Sequence, residues 1–309
     1  MCIIGGMERI RRVAVLGAGA MGGFLASRFC DAPDFVTELI AGGRYYDRLT
    51  RDGVVVNGKE YRPAVRHPDD PGPAADLIIV ALKHHQLEDG IRGLKNRVGS
   101  ATTIISVMNG LESEQIIGSA YGIDKMLYTI SVGIDAVRED NRITYSKPGI
   151  LYFGELSNAV PSRKVLRVRE ALAEADVPSE VPEDMRRMLW WKLMINAGIN
   201  QASAVLRAPY GVFHVSQDAR NLMEALMREV IELAGVIGIN LVEEDLEKWY
   251  GFLMKLSPEG KSSMLQDVEA GRKTEVEIFS GKICELGAEH GVATPVNRTV
   301  MQIIKAMER

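Results

Sequence analysis

Two kinds of hydrophobic periodicity divide this chain. Up to Pro182, short apolar runs alternate with amphipathic stretches; beyond it, apolar positions recur every three or four residues. VAVL from Val13, TELIAGG from Thr37, DLIIVALK from Asp76 and TTIISVMNG from Thr102 are compact runs of the kind that buried parallel strands require. FLASRFC and HHQLEDGIRGLKNRV between them have helical spacing. KMLYTISVGIDAV, NRITYS and GILYFGE are alternating or β-branched, and are predicted to close the same sheet; SRKVLRVREALAEA reads as a surface helix. Pro178 and Pro182 punctuate the chain, so a sheet domain over 1–182 and a helical domain over 183–309 are predicted. The helical part comprises EDMRRMLWWKLMINAGI, QDARNLMEALMREVIELAGVIG, EEDLEKWYGFLMKL and TEVEIFSGKICELGAEHG, with Gly238 and Gly291 placed as helix stops. Trp190 and Trp191 read as packing residues, and Glu243, Glu244 and Asp245 as the acidic start of a helix.

The first strand is followed by Gly17, Gly19 and Gly22 in G-x-G-x-x-G spacing, and then by a helix. In such a loop, Gly17 to Gly22 (with Ala18, Ala20 and Met21 between the glycines) cradle a pyrophosphate at a helix N-terminus. After the second strand an NAD-binding chain places an acid for the ribose hydroxyls. Here Ala41, Gly42 and Gly43 stand in that region, Glu38 lies too early, and Arg44 follows. An arginine there accommodates a 2′-phosphate, so NADP(H) is the expected cofactor. Lys83 and Asn109 fall at carboxyl ends of later strands, where an open sheet binds its ligand.

In the second half, Lys192, Asn196 and Asn200 are spaced i, i+4, i+8, a stripe that drifts by only about 40° per step. Leu193, Ile195 and Ile199 lie off it, toward a core. Asparagine is a poor helix former, so two of them inside a helix need a reason. Reduction of a keto acid supplies one: a lysine protonates the developing alkoxide while amides hold carbonyl and carboxylate.

Composition narrows the class. A chain of 309 residues exceeds the usual single core, and 46% hydrophobic with 25% charged residues is ordinary for a globular protein. A net charge of -4 without a basic stretch argues against nucleic acid or an anionic membrane as the main partner. Cys2, Cys30 and Cys284 lack metal or redox spacing, and His84 and His85 are adjacent residues that tend to diverge, so no metal is expected. MCIIGGMERIRR has too short an apolar stretch for a signal peptide, Met7 is an alternative start, and no run approaches a membrane span; a cytoplasmic location is expected. The apolar helices of the second half suit a core or a homodimer interface equally. Ser262 and Ser263 have no nearby histidine–acid pattern for a nucleophilic serine.

GAGAMG, LK-x-x-Q at Lys83 to Gln86, NG at Asn109, K-x-x-x-N-x-x-x-N from Lys192 and SSMLQDVEAGRKTE from Ser262 to Glu275 occur in one order across nearly the whole chain. In this the chain resembles the ketopantoate reductase family (2-dehydropantoate 2-reductase). The resemblance implies an α/β fold, with an N-terminal Rossmann-like dinucleotide-binding domain and an all-helical C-terminal domain. It also implies reduction of 2-dehydropantoate to pantoate by NADPH, for pantothenate and coenzyme A synthesis. By the same resemblance Lys192 is the proton donor, and Asn196, Asn200 and Ser263 contact the substrate, Ser263 near its carboxylate. Asn109 touches cofactor and substrate, Lys83 lies along the NADP, and Glu275 reaches the nicotinamide end as a second catalytic residue. Two positions depart from the family. Gly42 stands where an arginine is frequent, and Tyr210 (in RAPYG) stands where some members carry a substrate-contacting asparagine. Reduction of another 2-keto or 3-hydroxy acid is therefore the alternative reading, and a non-catalytic NADP-sensing protein is the alternative from a different class.

Overall fold

The structure is a computed structural model, and it describes residues 9–308. Cys2 and Met7 lie outside the described residues. The chain forms two compact units: Met1–Met108 with Glu112–Met185, and Arg186–Arg309 with the three residues Asn109–Leu111.

The strands of the first unit are β1 (Arg12–Leu16), β2 (Val36–Ile40), β3 (Val54–Val56), β4 (Lys59–Tyr61), β5 (Ala64–Arg66), β6 (Leu77–Val80), β7 (Thr103–Ser106), β8 (Met126–Ile134), β9 (Val137–Glu139), β10 (Arg142–Thr144), β11 (Pro148–Gly154) and β12 (Ser179–Glu180). Eight of them make one sheet in the order β12-β11-β8-β7-β6-β1-β2-β5. It is parallel throughout except where β11 meets β8, so β11 and β12 run against the rest. The apolar runs explain the burial. Val13 and Val15 of β1, with Leu77 and Ile79 of β6, face one core; Ala14 and Leu16, with Ile78 and Val80, face the other. A strand covered on both faces favours apolar side chains throughout, which is why the runs of β1 and β6 are uninterrupted. β2 lies on one side of β1 and β6 on the other, so the strand order reverses at β1, and the glycine loop leaves from there.

One prediction needs correction. NRITYS does not close the main sheet: Arg142–Thr144 pairs in parallel with β3 and antiparallel with β9, in a separate sheet of order β4-β3-β10-β9. The reason is visible in the strand itself. Ile143 is buried between exposed Arg142 and Thr144, a one-sided pattern that a doubly covered sheet cannot use. The helix read over HHQLEDGIRGLKNRV is also shorter, with a 3₁₀ turn at His84–Gln86 and an α-helix only at Leu87–Arg92.

The second unit has no strand among the described residues. One helical run carries Met185–Ile195, a π turn at Asn196–Asn200, and Gln201–Leu206, ending at Arg207 in the left-handed conformation. Then come Tyr210–Val215, Gln217–Val236, Glu244–Leu253, Ser263–Glu269, a second π turn at Glu277–Gly281 leading into Lys282–His290, and Pro295–Met307. Gly238 and Gly291 have positive φ just past their helices, the role read for them from the sequence. Trp190 and Trp191 are buried, as are Leu193, Ile195 and Ile199. Asp245 goes further than a solvated helix start: it is fully buried, and its carboxylate accepts two bonds from Arg187 Nη2 at 2.8 and 2.6 Å, with others from Lys248 and the Val242 amide. No helix is long and apolar enough to cross a membrane among the described residues.

Burial on its own would raise the Asp245 carboxyl, but the bonds from Arg187, Val242 and Lys248 outweigh it and hold the group below its ordinary value. Asp245→Ala removes the buried carboxylate shared by Arg187, Lys248 and the Val242 amide and is expected to cost about 3–5 kcal/mol, read as a lower urea midpoint at unchanged m. Because the folded carboxyl is the stronger acid, this contribution is present above the unfolded value and is lost as pH falls through the folded one.

Candidate active site

In the first unit the loop after β1 is built around its glycines. Gly17 has φ +98°, and a Cβ there would lie 2.5 Å from Ala81 O. At Gly22 a Cβ would lie 1.8 Å from Gly17 O, so the helix Ala20–Asp31 approaches the loop as only glycine permits. Gly19 differs. A Cβ on it would meet nothing of the protein nearer than Ala81 O at 4.0 Å. The space beside Gly19 is open, as a phosphate cradle should be. Gly19 caps the helix without a side-chain bond, and the first turn holds no acid, so its leading N–H groups are left for an anion. These features fit a dinucleotide pyrophosphate.

Glu38 is committed elsewhere, bonded to Arg97 at 2.8 Å and Arg66 at 3.2 Å. Arg44 is exposed at the start of the helix Gly43–Asp52 and forms no ion pair; its guanidinium lies 5.2 Å from the Tyr45 ring centroid. Arg48, one turn on, lies 5.3 Å from the same ring, and its Nε and Nη2 are buried without hydrogen-bond partners. It is a second candidate for the 2′-phosphate, and R-x-x-x-R is the signal that marks it. Lys83 follows β6, and its backbone N–H donates to Gln86 Oε1 at 3.2 Å.

In the second unit the structure brings four candidates into one chain of hydrogen bonds. Asn200 Nδ2 donates to Asn196 Oδ1 (3.3 Å), Asn196 Nδ2 to Asn109 Oδ1 (3.2 Å), and Asn109 Nδ2 to Glu275 Oε2 (3.0 Å). The helix does not present them as a simple α stripe. Its turn widens at Asn196–Asn200, and the wider turn offsets the drift that an α-helix would accumulate. Asn196, Asn200 and Glu275 are buried. Lys192 lies one turn before Asn196, partly exposed, with no side-chain ion pair or hydrogen bond among the described residues. Burial lowers its ammonium from 10.5 to about 8.

Ser263 does not join this chain. It is exposed as the first residue of the helix Ser263–Glu269, while Ser262 is the buried cap: Ser262 Oγ accepts from the Leu265 amide at 3.1 Å and lies 2.5 Å from Ser203 Oγ. Ser203 in turn donates to Asn200 O at 3.1 Å. Ser203 carries no signal in the sequence, and Ser262, which opens the SSMLQDVEAGRKTE segment, has one as a cap, a serine three residues before the Leu265 amide. Tyr210 begins its helix with its amide bonded to Gly260 O at 2.9 Å, and burial pushes its phenol up to about 12.

Residues 13–158 match the family described as Ketopantoate reductase PanE/ApbA, and residues 184–308 match its C-terminal region. A protein from Archaeoglobus fulgidus named 2-dehydropantoate 2-reductase is 27% identical over 300 residues, covering 97% of this chain and 99% of that relative. Its namesake from Halobacterium salinarum is 25% identical over 303 residues, covering 96% and 99%. Among solved structures, a D-mandelate dehydrogenase with NADH and anilino(oxo)acetate has a TM-score of 0.86 at 20% identity, covering 96% of this chain and 98% of that one. The 2-dehydropantoate 2-reductase of Geobacter metallireducens has a TM-score of 0.83 at 23% identity, covering 96% and 99%. With both regions of the family matched in order, the chain belongs to the ketopantoate reductase PanE/ApbA family, oxidoreductases that act on a CH–OH group.

Proposed function

We propose that this protein reduces 2-dehydropantoate to pantoate with NADPH, Lys192 giving the proton. The observation that carries this is Lys192 itself, a desolvated ammonium with no counter-charge among the described residues, about one turn before Asn196 and two before Asn200, whose carboxamides are tied to Asn109 and Glu275. The Gly17–Gly22 loop and Arg44 would hold NADPH, with Lys83 and Asn109 along it, and the cofactor would supply a hydride for C2 of the keto acid. Lys192 donates its proton to the oxygen that becomes the alkoxide. With its acidity at about 8 it is mostly charged at neutral pH, yet a far better acid than an ordinary lysine. Asn196 and Asn200 each retain an N–H beyond those used in the chain, and these hold the substrate carbonyl and carboxylate. The exposed Ser263 hydroxyl takes the carboxylate. Glu275 fixes Asn109 and, through it, the other amides.

Tyr210 supports a second reading, a 2-keto acid with a different side chain. A bulky phenol in place of an amide exchanges two N–H donors and a carbonyl acceptor for a single hydroxyl on its side of the pocket.

Lys192→Ala is expected to lose on the order of 10²–10⁴-fold in turnover, with NADPH affinity by fluorescence titration unchanged. In the wild type, kcat for reduction should fall as pH rises through about 8, when the proton is lost, and the reverse oxidation should gain. Stability follows the same group. The folded lysine binds its proton more weakly than the unfolded chain does, so the penalty is full below about 8 and is relieved toward 10.5. Lys192→Met should therefore raise Tm at neutral pH while turnover collapses; a lysine variant that keeps most of its activity overturns the assignment.

Cofactor choice is read by titrating NADPH and NADH. NADPH should bind the tighter, and Arg44→Ala should narrow the gap; equal or tighter binding of NADH refutes the reading of Arg44.

A panel of 2-keto acids, with NADPH oxidation followed at steady state, separates the substrate readings. Ketopantoate should lead, and Tyr210→Asn should preserve or improve its use. Ketopantoate no better than unrelated 2-keto acids favours the second reading, and no turnover of any acid, with NADPH bound, favours a sensor.

A further inference from the structure

The π turn at Asn196–Asn200 has a side chain built to hold it. In an α-helix Ala197 O would accept from the backbone N–H of Gln201, four residues on. Here that N–H is bonded to Gly198 O, and the Gln201 side chain serves the vacated carbonyl, Nε2 donating to Ala197 O at 2.8 Å. Gln201 is fully buried, and its Oε1 has no partner. An apolar side chain of the same shape would avoid that unpaired oxygen, so packing alone does not account for an amide here.

Gln201 is held in turn. Its Nε2 reaches Asn297 Oδ1 at 3.4 Å, and that oxygen also accepts from Ser280 Oγ at 2.7 Å. The Asn297 amide nitrogen donates to Leu226 O at 3.1 Å and Glu229 Oε2 at 2.8 Å, so every donor and acceptor of this fully buried side chain is used. Glu229 also accepts from the Val296 and Asn297 amides at 2.7 and 2.9 Å, which fixes Asn297 to the first turn of its helix. Ser280 belongs to the other π turn, Glu277–Gly281, which begins two residues after Glu275. One buried carboxamide thus ties together the two wide turns that flank the proposed substrate groups.

We propose that Gln201, anchored by Asn297, is a positioning residue for the reaction: it keeps the π turn open, and so keeps Asn200 in reach of Asn196 and Asn196 in reach of Asn109. Without its side-chain donor, the partner left for Ala197 O is the Gln201 backbone N–H, which is α bonding. Reversion to α bonding tightens the turn and rotates Asn200 off Asn196. The effect on turnover rests on the function proposed above; the effect on the asparagine side chains does not.

The test is Gln201→Met in protein carrying ¹⁵N-asparagine, with the Asn109, Asn196 and Asn200 side-chain NH₂ signals assigned by single substitutions. The Asn196 and Asn200 signals should move and exchange with solvent at least tenfold faster. Turnover should fall at least tenfold with NADPH affinity within twofold of wild type. On an Asn200→Ala background the same change should cost less than threefold more, because the two act through one contact. Unmoved asparagine signals, or an equal fold-loss on both backgrounds, overturns the proposal. Ser280→Ala, which removes one anchor of Asn297, is read in the same way should Gln201→Met fail to fold. If the wild type reduces no 2-keto acid, the function reading has failed in the wild type itself, and the asparagine signals still decide the role of Gln201.

Discussion

A carboxylate accepts hydrogen bonds and donates none, and the polar interior of the second unit is ordered by that asymmetry. Three neutral amides in a row could point either way, since each end of a carboxamide finds a partner in both directions. Glu275 removes the choice. It takes an N–H from Asn109, which turns the Asn109 oxygen to Asn196; Asn196 then turns its own oxygen to Asn200. The far end of the chain is left with a carbonyl oxygen, and each amide with one N–H to spare. One buried acid thus fixes the orientation of three amide side chains, and the proposed role of these groups toward a developing negative charge calls for donors fixed in advance.

The same unit holds two charges handled in opposite ways. Asp245 is buried among Arg187, Lys248 and a backbone amide, and contributes to holding helices together. Lys192 is desolvated with no ion pair among the described residues, so its burial is not offset by a counter-charge. A desolvated lysine costs stability, and a strongly perturbed group of that kind is what the proposed role of Lys192 as proton donor requires.

The main sheet was legible because its strands are covered on both faces and therefore read as unbroken apolar runs. The hairpin of β3 and β4 is legible in the sequence too. Asn57 and Gly58 both have positive φ between VVV and KEY, the turn that N-G between apolar residues announces. NRITYS showed its one-sided pattern and was still placed in the wrong sheet, since alternation gives a face but not a partner. In the site, residue types and spacing marked Lys192, Asn196 and Asn200, but the wide turn beneath them was not foreseen. Periodicity assumes a constant step, and only the poor helix formers in NAGIN hinted that the step changes. Gln201 was invisible for the same reason: its task exists only once the turn has widened.

Asn109–Leu111 follows a strand of the first unit, precedes Glu112 of the first unit, and belongs to the second. The helical part is therefore not a self-contained block of sequence. A fragment beginning at Arg186 would leave Glu275 and Asn196 each without the amide that joins them, and a chimera made by recombining at that point would need a matching loop from the other parent's sheet. The two halves are modular in shape but not in inheritance, and the smallest piece that must travel with the helices is three residues encoded far upstream.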